Sequence, residues 1–298
     1  MGNNISLDKL FVSPETKVSL KDFDTEYSGN KVDKDSSQDL LEKLREKLAE
    51  MQDKLYAQNR YSVLVIFQGI DASGKDSAVK HIMTGLNPAG VRVNSFKVPN
   101  TTELEHDYFW RHYIELPARG MIGVFNRSHY ENVLVTKVHP EFILKENLPG
   151  IKKLEDITPE FWEKRYKQIT RFEKNLYQNG TVIIKFFLHL SKKEQKKRFL
   201  ERLNDPTKNW KFSSNDVKER GFWQDYISAY ESALSNTSRD YAPWFIIPAD
   251  DKWYARLAIG EILYEQFEAL NLDYPKTNDE QKAELEVAKE QLLNENKE

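Results

Sequence analysis

Apolar positions change their spacing several times along the chain, and each spacing predicts an element. Leu41, Leu44, Leu48, Met51 and Leu55 recur every three or four residues, which predicts a helix from Ser37 with one apolar stripe. That stripe packs either on the sheet of its own chain, the favoured reading, or on a partner. Val63 to Phe67 are consecutively apolar and predict a buried strand, Val63–Gln68. Asp76–Leu86 returns to helical spacing through Ala78, Val79, Ile82, Met83 and Leu86. Val91–Val98 alternates as a strand up to Pro99, and Glu103–Glu115 reads as an aromatic-rich helix stopped by Pro117. Gly120–Phe125 is a short strand, and Pro159–Gln178 is a helix closed by Asn179-Gly180. Thr181–Leu190 and Trp244–Pro248 are strands, and Trp253–Leu270 is the last long helix. Alternating strands and helices imply an α/β fold: a parallel five-stranded sheet with helices on both faces, and ligands at the strands' C-terminal ends.

Two helical segments, about 191–204 and 214–235, interrupt that rhythm, joined by NDPTKNWKFSS. Residues 1–36 form a polar arm without clear periodicity, loosely ordered or draped over the domain or a neighbouring subunit. From Lys276 the chain holds seven acids and four bases, a solvated helix or a disordered tail. The division expected is therefore arm 1–36, domain 37–275 with an insertion at about 191–236, and acidic tail 276–298. The 298 residues suffice for one such domain.

The loop after the first strand carries the chemistry. Gly69-Ile-Asp-Ala-Ser-Gly74-Lys75 lies between a buried strand and a helix start, the layout of a phosphate-binding P-loop. Its glycines let the backbone wrap an anion, so Gly69, Ala72, Ser73, Gly74, Asp76 and Ser77 are candidate phosphate contacts, and Lys75 adds a full charge. Asp76 stands where Ser or Thr normally ligates magnesium, and Ser77 is one residue late. The strand ending in Asn126 stands where P-loop enzymes usually place a magnesium-holding Asp. Asn126 brings no charge, so Asp71 is the candidate carboxylate for the metal. Arg127 suits two-pronged clamping of phosphoryl oxygens.

Charge and composition narrow the classes. A net charge of -3 excludes a globally basic nucleic-acid binder, yet residues 185–220 hold eleven Lys or Arg against five acids. Beside a P-loop, that excess reads as a cationic lid. There is no cysteine, which excludes disulfides, thiolate metal sites and Cys nucleophiles and fits a reducing cytoplasm. No signal-peptide pattern or membrane-length apolar run is present, so a soluble cytoplasmic protein without a membrane partner is expected. Gly2 to Ser6 match an N-myristoylation pattern short enough to arise by chance. The six histidines show no metal-ligand spacing, and the tryptophans read as core.

Together these stretches resemble the polyphosphate kinase 2 family. The matching blocks are Gly69 to Asp76, Phe96 to Pro99, Phe125 to Tyr130, Phe199 to Pro206, Asn209 to Phe212 and Ala242 to Asp250. Asp76 after the P-loop lysine is itself what the family shows. The resemblance implies a three-layer thymidylate-kinase-like P-loop kinase fold with a helical lid. It also implies Mg2+- or Mn2+-dependent, reversible phosphoryl transfer between inorganic polyphosphate and AMP, ADP or ATP, with guanine nucleotides as further acceptors left open. Asp71 and the Asn126 site would organise the metal, directly or through water. Lys75 and Arg127 would hold the phosphoryl group, and Arg198 and Arg202 would close over the phosphates as lid arginines. Lys97, Pro99, Asn126, Tyr130 and Glu131 would meet the nucleotide. Asn126-Arg-Ser-His-Tyr-Glu131 resembles the branch accepting both AMP and ADP, with Glu131 contributing. Lys192, Lys193, Lys196, Lys197, Lys208 and Lys211 are candidates for a cationic track along the polymer. The family suggests homodimers or homotetramers. The competing readings are an ATP-dependent nucleoside or nucleoside-monophosphate kinase and a non-catalytic polyphosphate- or nucleotide-binding P-loop protein.

Overall fold

Ser62–Gln68 is buried at every position, as a strand covered on both faces must be. The computed structural model, which describes residues 7–295, places it at the centre of a six-stranded sheet. The strands are β1 (Phe11–Val12), β2 (Ser62–Gln68), β3 (Val91–Ser95), β4 (Ile122–Asn126), β5 (Thr181–His189) and β6 (Trp244–Pro248), in spatial order β1-β6-β5-β2-β4-β3. The myristoylation pattern at Gly2 to Ser6 lies outside the described residues. β2 to β6 pair in parallel. The chain fills one side of β2 with β4 and β3, then crosses to β5 on the other. The crevice at the C-terminal end of β2 is therefore where the strand order reverses, and an α/β sheet binds ligands there.

The helices are α1 (Lys34–Gln58), α2 (Lys75–Met83), α3 (Thr101–Leu104), α4 (Trp110–Tyr113), α5 (Val135–Val138), α6 (Pro159–Gln178), α7 (Lys192–Asn204), α8 (Ser214–Glu219), α9 (Trp223–Thr237), α10 (Lys252–Glu268) and α11 (Asp279–Asn294). One outer layer contains α1, α2 and α10; α6 and α9 pack together in the other. The α1 stripe meets α10 of the same chain, where Gly260 has no Cβ and a Cβ there would sit 3.4 Å from Leu44 Cδ1. Asp33 caps α1 by accepting from Ser36 N, so the helix begins before Ser37.

Two expectations change, in strand count and in one helix, and for the arm one of the alternatives is observed. The sheet has six strands rather than five, because the arm supplies β1, antiparallel to β6 with Phe11 opposite Phe245. The arm is strapped to its own domain: Val18 N donates to Ser235 Oγ, Leu20 N to Glu231 Oε1 and Tyr27 N to Asp251 Oδ2. The helix expected over 103–115 is two short helices, α3 and α4. Asp107 Oδ1 accepts from Phe109 N at 2.9 Å, offering the backbone a local bond in place of the helical one.

Candidate active site

The P-loop is built by steric necessity. A Cβ on Gly69 would lie 2.6 Å from Ser73 Oγ and 3.0 Å from the Leu188 carbonyl, so no side chain fits where the loop leaves β2. Ala72 (φ +63°) and Gly74 (φ +102°) take left-handed conformations, and Ser73 N donates to Ile70 O at 3.1 Å. Left-handed residues between right-handed ones turn N–H groups toward a common centre, an anion nest. Gly74 caps α2, which starts at Lys75, so the positive end of that helix faces the same centre.

Cations and anions converge around the nest. Lys75 is buried, with Nζ donating to the Gly69 carbonyl at 2.6 Å and the Ile70 carbonyl at 3.4 Å. Burial, aided by repulsion from Arg127, pulls its ammonium down to about 8. Arg127 is left-handed (φ +63°), and its N–H donates to Phe67 O at 3.0 Å, which carries β4 one residue further alongside β2. Its Nη2 reaches Asp71 Oδ1 at 3.3 Å and its Nη1 lies 3.8 Å from Glu131 Oε2. Those carboxylates, Glu131 foremost, hold the guanidinium's pKa above its ordinary value. Asn126 Nδ2 donates to the exposed Asp76 carboxylate, joining strand end to helix start. The carboxylates of Asp71 and Asp76 and the amide of Asn126 are hard oxygen donors, the set magnesium prefers. Substrate oxygens and water would complete such a shell. The residues present therefore fit the ion.

Three assignments need correction. Arg198 is buried under the P-loop: Nε donates to Glu194 Oε1, Nη1 to the Ala72 and Ser73 carbonyls, and Nη2 to the Ala249 and Asp250 carbonyls. All five guanidinium protons are used, so this residue braces the loop instead of closing over phosphates. Tyr130 is completely buried and donates to Glu173 Oε1 at 2.8 Å, so it cannot touch a nucleotide. Ser77 accepts from Arg256 Nη2 at 3.0 Å, which turns its hydroxyl toward α10.

The other predicted residues lie around the crevice or outside it. Arg202 pairs loosely with Asp216 of α8 at 3.9 Å. Asp216 is raised by burial and, secondarily, by the field of Asp71, which places this lid carboxylate near the P-loop. Lys97 and Pro99 are exposed on the segment leaving β3. Lys193, Lys196, Lys197 and Lys208 line an open groove of about 550 Å³ with Leu200, Asn204 and the carboxylates Glu201 and Asp205, the last paired with Lys208 at 2.6 Å. At 100° per residue these α7 positions oppose Gln195 and Arg198, so the groove runs along the outside of the lid. Lys192 Nζ lies 5.8 Å from the Trp223 ring and Lys211 Nζ 5.0 Å from the Trp210 ring.

Sequence reasoning missed several residues that shape the site. Gln195 Nε2 holds the Asp71 carbonyl at 2.9 Å, and nothing local signals it. Glu194 stands four residues before Arg198, a spacing that could have suggested the pair. Asp216 had no signal beyond its place in the insertion.

A family model described as polyphosphate kinase 2 matches residues 31–275. The chain is 47% identical over 277 residues to an ADP-polyphosphate phosphotransferase of Rhodopseudomonas palustris, covering 93% of this chain and 95% of the relative. It is 41% identical over 271 residues to an AMP/ADP-polyphosphate phosphotransferase of Meiothermus ruber, covering 91% and 96%. A crystal structure of polyphosphate kinase 2 from Arthrobacter aurescens superposes with a TM-score of 0.83 at 37% identity, over 94% of this chain and 98% of that one.

Proposed function

Because this chain belongs to the polyphosphate kinase 2 family, we propose that it moves phosphoryl groups reversibly between inorganic polyphosphate and AMP or ADP, forming ADP or ATP. The observation that carries this reading is the convergence of Lys75 and Arg127 on one anion nest, near enough for Arg127 to depress the lysine's pKa. Phosphoryl transfer asks the protein mainly for positioning and charge compensation.

In the ATP-forming direction, a phosphate oxygen of ADP attacks the terminal phosphorus of the polymer, and the bond from that phosphorus to its bridging oxygen breaks. The nest N–H groups hold the transferring group's oxygens. Lys75, whose protons rest on the Gly69 and Ile70 carbonyls, turns to the phosphates. Arg127 exchanges the Asp71 carboxylate for two phosphoryl oxygens. Arg202 leaves its loose contact with Asp216 to add charge from the lid. Asp71 and the Asp76–Asn126 pair would hold magnesium or manganese, which supplies charge neutralisation and alignment of the phosphate oxygens. The lysines on the outside of α7 carry the distal polymer, an interaction that weakens with salt. Glu131 beside Arg127 contributes to acceptance of both AMP and ADP, with Lys97 and Pro99 on the nucleotide rim and guanine nucleotides as further acceptors.

No helix among the described residues is long and apolar enough to cross a membrane. A homodimer or homotetramer is proposed from the family resemblance, and a cytoplasmic location from the cysteine-free composition.

The deciding experiment offers AMP or ADP with magnesium and either long-chain polyphosphate or ATP as donor, and resolves the nucleotides by chromatography. ADP and ATP formed from AMP with polyphosphate alone are expected. Product from ADP only removes the dual-acceptor reading. Transfer from ATP only replaces the proposal with a nucleotide-dependent kinase, and absence of any transfer leaves a binding protein.

A further inference from the structure

A charged side chain sits at 0% exposure in the centre of the sheet. Lys185 of β5 has all three Nζ protons placed: on Glu173 Oε2 of α6 at 2.6 Å, on Tyr130 Oη at 2.8 Å and on the Thr237 carbonyl of α9 at 2.9 Å. Tyr130 Oη donates to the other Glu173 oxygen at 2.8 Å. The Trp244 indole N–H donates to Thr237 Oγ1 at 3.0 Å, and the His129 ring lies 3.5 Å from Glu173. Glu173 and Tyr130 are also fully buried.

Burying an ion pair is costly, and apolar residues of similar volume often serve stability as well. What apolar packing lacks is direction. A hydrogen-bonded ammonium fixes its partners in angle and distance, and these partners come from three elements: the turn after β4, α6 and the end of α9. Tyr130 belongs to the turn that carries Arg127 and Glu131, and that turn is held a second time by Gln68 Nε2 on Ser128 Oγ at 3.1 Å. Thr237 ends α9, whose Tyr226 and Tyr230 stand close enough to Arg127 to act on its charge. Arg127 itself is held in a left-handed conformation, which persists in a non-glycine residue only when its surroundings over-determine it.

We propose that Lys185, Glu173 and Tyr130 form a buried positioning triad, which fixes the Arg127–Glu131 turn and the end of α9 against the sheet and so sets the rate of phosphoryl transfer without contributing to substrate affinity. The inference rests on the transfer reading above.

The test compares K185M/E173L, which replaces the ion pair by apolar volume, with Y130F, which removes one hydroxyl. Melting temperature, kcat, the KM values for polyphosphate and ADP, and hydrogen–deuterium exchange of the free protein are measured on both. In the folded double variant kcat falls about 10- to 100-fold, the range for a slightly misplaced reacting group. Both KM values stay within about threefold, and exchange accelerates in the peptides covering 127–131 and 233–238. Y130F shows the same pattern more mildly, and it decides the matter if the double variant does not fold. Wild-type kcat in a folded variant, a change confined to KM, or wild-type protection of both peptides each overturns the triad. Exchange needs no turnover, so an inactive wild type sinks the transfer reading while the triad is still tested.

Discussion

Replacing Arg198 with methionine separates a brace from a substrate contact. The guanidinium donates to Ala72 O at 2.9 Å, Ser73 O at 3.1 Å, Ala249 O at 2.6 Å, Asp250 O at 3.0 Å and Glu194 Oε1 at 3.0 Å. A hydrogen bond to a charged group contributes about 1.5–3 kcal/mol net, but bonds sharing one side chain do not add. Methionine fills the space, leaves the carbonyls without this donor and leaves the Glu194 carboxylate only the exposed Lys197 at 3.5 Å, close to the situation that costs about 4 kcal/mol when a buried charge pair is broken. Unfolding entropy scales with chain length and reaches about 0.6 kcal/mol/K for this one, so the melting temperature should drop by about 6 °C. R198K keeps the charge but has three protons for five acceptors and should lose roughly half as much. The assay is thermal unfolding without nucleotide, polyphosphate or metal. An R198M melting temperature within about 1 °C of wild type, together with a kcat loss above about 100-fold, would refute the brace and restore a residue that works on substrate alone.

Three further outcomes follow from the site. Lys75 binds phosphate only when protonated and has a pKa of about 8 in the free protein, so kcat/KM for polyphosphate should fall as pH rises through that value. Because a bound polyanion favours the charged form, kcat should hold to higher pH, and a kcat/KM flat from about 7 to 10 would contradict the assignment. G69A forces a Cβ within 2.6 Å of Ser73 Oγ and 3.0 Å of the Leu188 carbonyl, and should lower kcat/KM by at least about 100-fold. D71N should raise the magnesium needed for half-maximal rate by about tenfold with little change in melting temperature; an unchanged metal titration moves the metal away from Asp71.

What the sequence disclosed were features whose geometry is local. The spacing from Gly69 through Lys75 to α2 fixes a nest by itself, and Arg127 follows the strand end by one residue, so both were legible. Arg198 and Tyr130 were misplaced because a motif names residue types and not the side of an element they occupy. The carbonyl that Arg198 holds at Ala72 is 126 positions away, and the oxygen Tyr130 meets on Glu173 is 43 away. The phase of α7, with Gln195, Arg198 and Phe199 buried, would have warned of the first. The sixth strand was invisible because two residues, Phe11 and Val12, make no period.

That short strand has a consequence for how the chain is made. Val18 bonds to Ser235 across 217 positions, and β1 can pair only after β6 has been synthesised. At about 5–20 residues per second, β1 waits about 10 to 50 s for its partner. Once made, the outer edge of β6, Trp244 to Pro248, presents unpaired backbone beside a wholly apolar run until the arm closes on it, a template for another nascent chain. Closing the arm over that edge is the step that ends the hazard, so a chain lacking its first residues should assemble a P-loop and still precipitate. β1 is made before β6 and is placed only after it.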